Sequence, residues 1–217
     1  MKQLEARKSR LCSKVRPKIL RFTSIHMASV GPNTIAWVLR AVLFDFGGVI
    51  LTSPFEAFAE YEERAGLRPG VIREINSNNP DSNAWARLER SEVGIDEFSS
   101  QFESEAAALG HIVSGAEVLA CLRGEVRPEM VRAIKHLKEA FSIALLTNNF
   151  VSGTPQWTLD GSFAALVDLF DVIVESSEVG CRKPEQRFYE IALERLGIAA
   201  HEAVFLDDLG VNLKPAA

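Results

Sequence analysis

The sequence has few cysteines and no long apolar run, and these absences exclude several classes of protein. Only three cysteines occur among 217 residues, Cys12, Cys121 and Cys181, and they lack CxxC spacing. Neither a disulfide framework nor a structural zinc site is indicated, so we expect a reducing, cytoplasmic compartment. No apolar stretch reaches the roughly 20 residues that a membrane span needs, so we expect no transmembrane segment. The length fits one domain, or one domain with a smaller insertion.

Positive charge is concentrated at the N-terminus. Residues 1–40 contain nine Lys and Arg against one acid, and because the whole chain carries −5, residues 41–217 carry −13. Such an acidic body argues against nucleic acid as a partner. We interpret residues 1–39 as a basic, disordered extension. Three origins are open: a mitochondrial-type presequence over residues 1–26, a tail attracted to anionic surfaces, or a non-native start with the natural chain beginning at Met27.

Beyond residue 40, short apolar runs alternate with helical patterns, which predicts a doubly wound α/β core with a parallel sheet. Continuous apolar character is typical of strands buried on both faces. Residues 53–126 contain only amphipathic helical patterns and predict an all-helical cap inserted after the first strand. Residues 40–52 and 127–217 would form the core. Four runs are the strand candidates: "AVLFDF", "FSIALLTNN", "FDVIVES" and "EAVFLDD".

Polar side chains follow the predicted strands at the edge where ligands bind in such sheets. Taken singly, each has a structural explanation as a turn residue or a helix cap. Together they include three carboxylates, which repel one another unless a divalent cation, a lysine or protons compensate. Oxygen ligands of this kind suit magnesium. The residues are Asp45, Thr147, Asn148, Asn149, Lys183, Asp207 and Asp208.

The four blocks, in this order and with a helical insert after the first strand, resemble the haloacid dehalogenase superfamily. The run "FDVIVESSEVGCRKPEQRFYEIALERLG", followed by "EAVFLDDLGVNLKPA", is similar to the phosphatase-like domain that precedes the hydrolase domain of bifunctional epoxide hydrolases. It is also similar to the related domain of multidomain acyl-CoA dehydrogenases. The resemblance covers residues 41–217.

This resemblance implies an aspartyl-phosphate mechanism on a small phosphorylated metabolite. Asp45 would be the nucleophile that attacks phosphorus. Thr147, with Asn148, would hold the transferring oxygens, and Lys183 would offset the charge that grows on them. The cap would close over the site, exclude water and select the substrate.

The resemblance also implies a magnesium site. Asp45, the backbone carbonyl of Gly47 and Asp208 would hold the ion, helped by Asp207. Asn212 would orient Asp208 from behind.

Gly47 departs from the family pattern, because phosphatases of this family usually carry a second aspartate there. That residue protonates the leaving alcohol, and such help is worth about 100- to 10,000-fold in rate. The substrate could then have a leaving group that needs no proton, such as an acyl phosphate, or another group could act as the acid. We therefore expect a magnesium-dependent phosphatase-like hydrolase, weak on alkyl phosphates. A silent binding or regulatory module is the alternative, and a metal-free dehalogenase is disfavoured because it would not use the Asp207/Asp208 pair.

The sequence stops at "LKPAA", whereas resembling domains continue through a further helix and a closing strand. We therefore expect the closing strand to be missing and the fourth strand to be an exposed edge. An exposed edge favours pairing, so a homo-oligomer or another partner could cover it.

Overall fold

A parallel sheet of four strands organises the described part of the chain, residues 38–149 and 165–215 of a computed structural model. The strand order is β3-β2-β1-β4. Residues 1–37, which include the proposed presequence, lie outside the described residues. The strands are β1 (Ala41–Phe44), β2 (Ser142–Thr147), β3 (Val172–Glu175) and β4 (Ala203–Leu206). The predicted α/β fold with a parallel sheet is confirmed.

The register of the sheet brings its carboxyl ends together. Phe44 of β1 pairs with Leu145 of β2 on one side and with Leu206 of β4 on the other. The backbone N–H of Asp45 donates to the carbonyl of Leu206 at 2.8 Å, which extends the ladder by one residue. Asp45 and the residues that follow β4 therefore lie side by side.

Alternate residues of the central strands enter two separate apolar clusters, one on each face of the sheet. Leu43 and Leu146 pack with Phe188 on one face. Phe44 and Leu145 pack with Ile134 on the other. Burial on both faces explains why these strands are continuous apolar runs rather than alternating ones.

Helices connect and cover the strands. Four short helices were not predicted from the sequence patterns: Val71–Ser77, Gly115–Ala120, Ser176–Val179 and Gly210–Leu213. The helices are α1 (Pro54–Arg64), α2 (Val71–Ser77), α3 (Ala84–Glu89), α4 (Ile95–Ala108), α5 (Gly115–Ala120), α6 (Pro128–Leu137), α7 (Ser176–Val179), α8 (Gln186–Leu196) and α9 (Gly210–Leu213).

Helices α1 to α5 share an apolar cluster of their own. Phe98 and Phe102 are fully buried and stacked, and Trp85 packs edge-on against Phe98 at 5.3 Å between ring centroids. An antiparallel bridge between Leu51 and Val126 joins the two chain segments that lead into and out of these helices. We propose that helices α1 to α5 are the cap predicted over residues 53–126.

Strand β4 forms one edge of the described sheet and is half-buried. The predicted homo-oligomer contact at this edge stays a prediction. Within the described residues, no helix has the length and apolar character of a membrane span.

Asp171 fastens the start of β2, and its removal should cost stability in a pH-dependent way. Its carboxylate accepts from the N–H of Ile143 at 2.8 Å and from Lys138 Nζ at 2.9 Å. The Ile143 hydrogen bond, then Lys138, lowers the pKa of Asp171. Because the side chain is 44% exposed, we expect Asp171→Asn to cost only about 1 kcal/mol.

The sign of this pH dependence follows from the lowered pKa. The stabilisation is present above the unfolded pKa, near pH 4, and is lost as the pH falls through the lower folded value. Urea unfolding should therefore separate Asp171→Asn from the wild type at neutral pH, and the gap should shrink at about pH 2. A gap that widens in acid would contradict this assignment.

Candidate active site

An ion pair between Asp45 and Lys183 lies at the centre of the site. Asp45 follows β1 and is 8% exposed, and Lys183, in the loop between α7 and α8, is 2% exposed. Lys183 Nζ donates to Asp45 Oδ1 at 2.5 Å and to Asp207 Oδ2 at 2.9 Å. A buried ammonium is tolerated here because two carboxylates compensate its charge.

Three carboxylates converge on this lysine. Oxygens of Asp45, Asp207 and Asp208 all lie within 4.8 Å of one another, and Asp208 is exposed whereas Asp45 is buried. Burial raises the pKa of Asp45 to about 7, Lys183 opposes that shift, and Asp207 and Asp208 add to it. Burial and Asp207 also raise the pKa of Asp208. One ammonium against three carboxylates leaves an excess of negative charge that a divalent cation would offset.

Asp207 is held from three sides. Besides Lys183, the N–H of Leu209 donates to it at 2.8 Å, and Asn212 Nδ2 donates to both of its oxygens at 3.1 and 3.0 Å. We predicted that Asn212 would orient Asp208. This prediction was wrong, because Asn212 bonds Asp207 instead. The Asp207 carboxylate turns back toward the start of α9, where it meets both the N–H of Leu209 and the amide of Asn212.

Gly48 makes room for Asp208, a contact that the sequence reasoning missed. An ideal Cβ on Gly48 would lie 2.1 Å from Asp208 Oδ2, and Gly48 has φ of +79°, where L side chains are strained. The sequence signal was the second glycine of "FDFGGV", but its partner 160 positions away was not readable from it.

Gly47 has an ordinary backbone, with φ of −71° and ψ of 129°. A Cβ placed on Gly47 would meet no heavy atom within 4 Å. The backbone and the space at Gly47 would therefore allow a Cβ.

Thr147 ends β2 and is buried, as expected for a residue at this edge. The side chain of Asn148 contacts the Lys183 backbone and helix α3. Its Oδ1 accepts from the N–H of Lys183 at 2.8 Å, while its Nδ2 donates to the carbonyl of Lys183 at 3.0 Å and to Glu89 Oε2 at 3.2 Å. The predicted role of Asn148 in holding transferring oxygens stays a prediction, and its side chain holds the backbone of Lys183.

Asn149 belongs to the loop rather than to the carboxylate cluster. Its backbone and side chain bond Ser176 and Ser177, and its Nδ2 donates to Glu175 Oε1 at 2.5 Å. These contacts join the ends of β2 and β3.

Several known proteins resemble this chain in sequence. It is 36% identical over 186 residues to acyl-CoA dehydrogenase family member 10 of Mus musculus, covering 82% of this chain and 17% of the relative. It is 30% identical over 193 residues to bifunctional epoxide hydrolase 2 of Sus scrofa, covering 82% and 34%. The chain thus spans about a sixth and a third of these two relatives. The sesquiterpene phosphatase astK of Aspergillus oryzae is 29% identical over 174 residues, covering 78% of this chain and 80% of the phosphatase.

Solved structures share the fold. A HAD family enzyme of Bacteroides thetaiotaomicron, solved in complex with magnesium and inorganic phosphate, superposes with a TM-score of 0.54 at 19% identity, covering 82% of this chain and 89% of that one. The family model of haloacid dehalogenase-like hydrolases matches residues 39–217. With this match over most of the chain and the relatives predicted from its motifs, the protein belongs to the haloacid dehalogenase-like hydrolase family.

Proposed function

We propose that the protein is a magnesium-dependent phosphatase-like hydrolase that acts on a small phosphorylated metabolite through an aspartyl-phosphate at Asp45. The observation that carries this proposal is the meeting of Asp45, Lys183 and two further carboxylates at one sheet edge. The phosphatase among its relatives and the phosphate in a structural neighbour support the same chemistry.

The residues present fit a magnesium ion. Asp45 and Asp208, with the backbone carbonyl of Gly47, would hold it, while Asp207 is engaged by Lys183 and Asn212 and would balance and orient the cluster. When bound, magnesium offsets the negative charge of the carboxylates and of the phosphoryl oxygens. The excess of carboxylates over ammonium is the feature of this structure that calls for such an ion.

The chain's own residues supply the rest of the reaction. A carboxylate oxygen of Asp45 forms a bond to phosphorus, and the bond from phosphorus to the leaving oxygen breaks, with the electron pair departing on that oxygen. Water then attacks phosphorus and gives up a proton to solvent, and the bond from phosphorus to the Asp45 oxygen breaks. Its electron pair regenerates the Asp45 carboxylate, and phosphate leaves. Lys183 offsets charge on the transferring oxygens, and Thr147 donates a hydrogen bond to them.

Release of phosphate tests the proposal directly. An acyl phosphate, an aryl phosphate and an alkyl phosphate would be assayed with magnesium and with a chelator. We expect turnover only with magnesium, fastest where the leaving oxygen needs no proton, because Gly47 cannot supply one. No turnover of any of the three, or equal rates in chelator, would contradict the proposed function.

A silent phosphate-binding or regulatory module is the second candidate, and the absent acid at Gly47 is the observation that favours it. Such a module would bind magnesium and a phosphate analogue without forming a covalent intermediate. Mass spectrometry of the Asp45 peptide after incubation with an acyl phosphate separates the two candidates.

Gly48→Ala is expected to weaken magnesium binding. Its Cβ would displace the Asp208 carboxylate, and its φ of +79° adds strain. We expect the affinity for magnesium to fall at least about tenfold, as measured by calorimetric titration.

Gly210→Ala is the matched control for this change. Gly210 begins α9, close to Asp208 in the chain, and a Cβ there meets nothing within 4 Å. Equal magnesium affinity in the two variants would show that Asp208 is not a ligand.

A further inference from the structure

We propose that Glu89, at the end of α3, is a positioning residue that couples docking of helices α1 to α5 on the core to the placement of Lys183. The proposal rests on the proposed function in so far as Lys183 serves that site. Glu89 does not belong to the carboxylate cluster. Its effect passes through two residues that hold Lys183.

The first step is the grip of Asn148 on Lys183. The side-chain amide of Asn148 accepts from the N–H of Lys183 at 2.8 Å and donates to the carbonyl of Lys183 at 3.0 Å. A planar amide that bonds both groups fixes the peptide on either side of Cα, and so fixes the direction in which the lysine side chain leaves the backbone. The Nζ position beside Asp45 therefore depends on the orientation of Asn148.

The second step is the contact of Glu89 with Asn148. Glu89 Oε2 accepts from Asn148 Nδ2 at 3.2 Å, and Glu89 Oε1 accepts from Trp85 Nε1 at 3.0 Å. Trp85 lies on the same helix, one turn earlier, so Glu89 is itself held in place. A charged acceptor makes the bond to the amide stronger than a neutral one would.

The third step is an ion pair to the residue before Lys183. Arg182 Nη1 donates to Glu89 Oε2, and each of these two side chains is only 11% exposed. Arg182 Nη2 also donates to the carbonyl of Pro80 at 2.8 Å. Glu89 thus reaches Lys183 by two routes, through the Asn148 amide and through the adjoining backbone.

Burial makes this arrangement sensitive to docking. Separation of α3 from the core would break the Glu89–Arg182 ion pair and leave one donor of Asn148 free, and separating the members of a buried pair is costly. The grip on Lys183 is therefore complete only when the helices are docked. Docking of helices α1 to α5 and placement of the Lys183 ammonium beside Asp45 are therefore coupled.

A second ion pair across the same boundary offers a matched control. Arg90 Nε donates to Glu185 Oε1 at 2.8 Å, and these side chains are 16% and 39% exposed. Arg90 neighbours Glu89 in sequence, yet among the described contacts it does not touch Asn148 or Arg182. Its loss should weaken docking without loosening Lys183.

The test compares Glu89→Gln, Glu89→Ala and Arg182→Met with Arg90→Met in the full chain. Hydrogen exchange of the Lys183 backbone N–H, followed by NMR, reports the Asn148 grip without any substrate. We expect exchange to rise about tenfold in Glu89→Ala and Arg182→Met, less in Glu89→Gln, which keeps an acceptor, and not in Arg90→Met. With an acyl phosphate, kcat should fall roughly 10- to 100-fold in Glu89→Ala and Arg182→Met, with KM little changed.

Two outcomes overturn the inference. Equal exchange in Glu89→Ala and Arg90→Met would mean that general docking, and not Glu89, controls Lys183. Unchanged exchange in all variants would mean that the grip does not depend on the helices. Glu89→Gln preserves shape, so an altered NMR fingerprint confined to Glu89→Ala would identify misfolding and leave Glu89→Gln as the deciding variant. If the wild type releases no phosphate while exchange follows the expected order, the proposed function fails and the positioning of Lys183 stands.

Discussion

Asp45→Asn is expected to abolish phosphate release, with a loss of at least about a thousandfold in kcat. An amide oxygen is a poor nucleophile, and loss of a nucleophile removes the covalent route altogether. The fold should survive, because Lys183 keeps its ion pair with Asp207 at 2.9 Å and one of three mutually repelling carboxylates disappears. This variant should therefore lose activity while it keeps its stability.

The measurement combines steady-state phosphate release with thermal unfolding. Asp171→Asn is the control, since it makes the same carboxyl-to-amide change at the start of a strand remote from the cluster. It should lose stability and keep its rate, the reverse of Asp45→Asn. A rate within about tenfold of the wild type in Asp45→Asn would mean that water attacks phosphorus directly and that Asp45 is not the nucleophile.

The strands, and the sheet edge at which the site lies, were predictable because strands buried on both faces are continuous apolar runs in the sequence. Asp45, Lys183 and Asp207 each follow such a run or lie in the next loop, so parallel order alone brings them together. Helix α2 was not predicted because a side chain from helix α1 caps its first turn. Glu62, eight and ten residues earlier, accepts from the N–H groups of Gly70 and Ile72 at 2.7 and 2.8 Å. A seven-residue helix capped in this way carries no local start signal.

The contacts that complete the site join residues far apart in the chain, and this is why sequence reasoning missed them. Glu89 and Arg182 are 93 positions apart, and nothing in the sequence indicates that they pair. The side-chain hydrogen bonds of Asn148 were missed for a related reason. Its place beside Thr147 indicated a role near the substrate, but only the packing of α3 on the core shows which way the amide is used.

Gly47→Asp is expected to raise turnover of an alkyl phosphate by about 100- to 10,000-fold. The backbone there already has ordinary angles, and a Cβ meets no heavy atom within 4 Å, so a side chain can leave the backbone without a clash at Cβ. Neighbouring carboxylates should raise the pKa of the introduced acid, which favours the protonated form that a general acid needs. The gain should be largest for the poorest leaving group, because that group depends most on protonation.

A comparison of leaving groups gives this prediction its sharpest form. Gly47→Asp should speed an alkyl phosphate strongly, an aryl phosphate less, and an acyl phosphate little, since an acyl oxygen departs without a proton. Gly47→Asn is the matched control, with the same size and no acidic proton, and it should reproduce none of the gain. An equal gain from asparagine would point to binding and not to proton transfer. If the aspartate gives no gain on the alkyl phosphate while Asp45 still forms its covalent phosphate, the wild-type protein already takes its proton from another group, and the departure at Gly47 would not be what limits its rate.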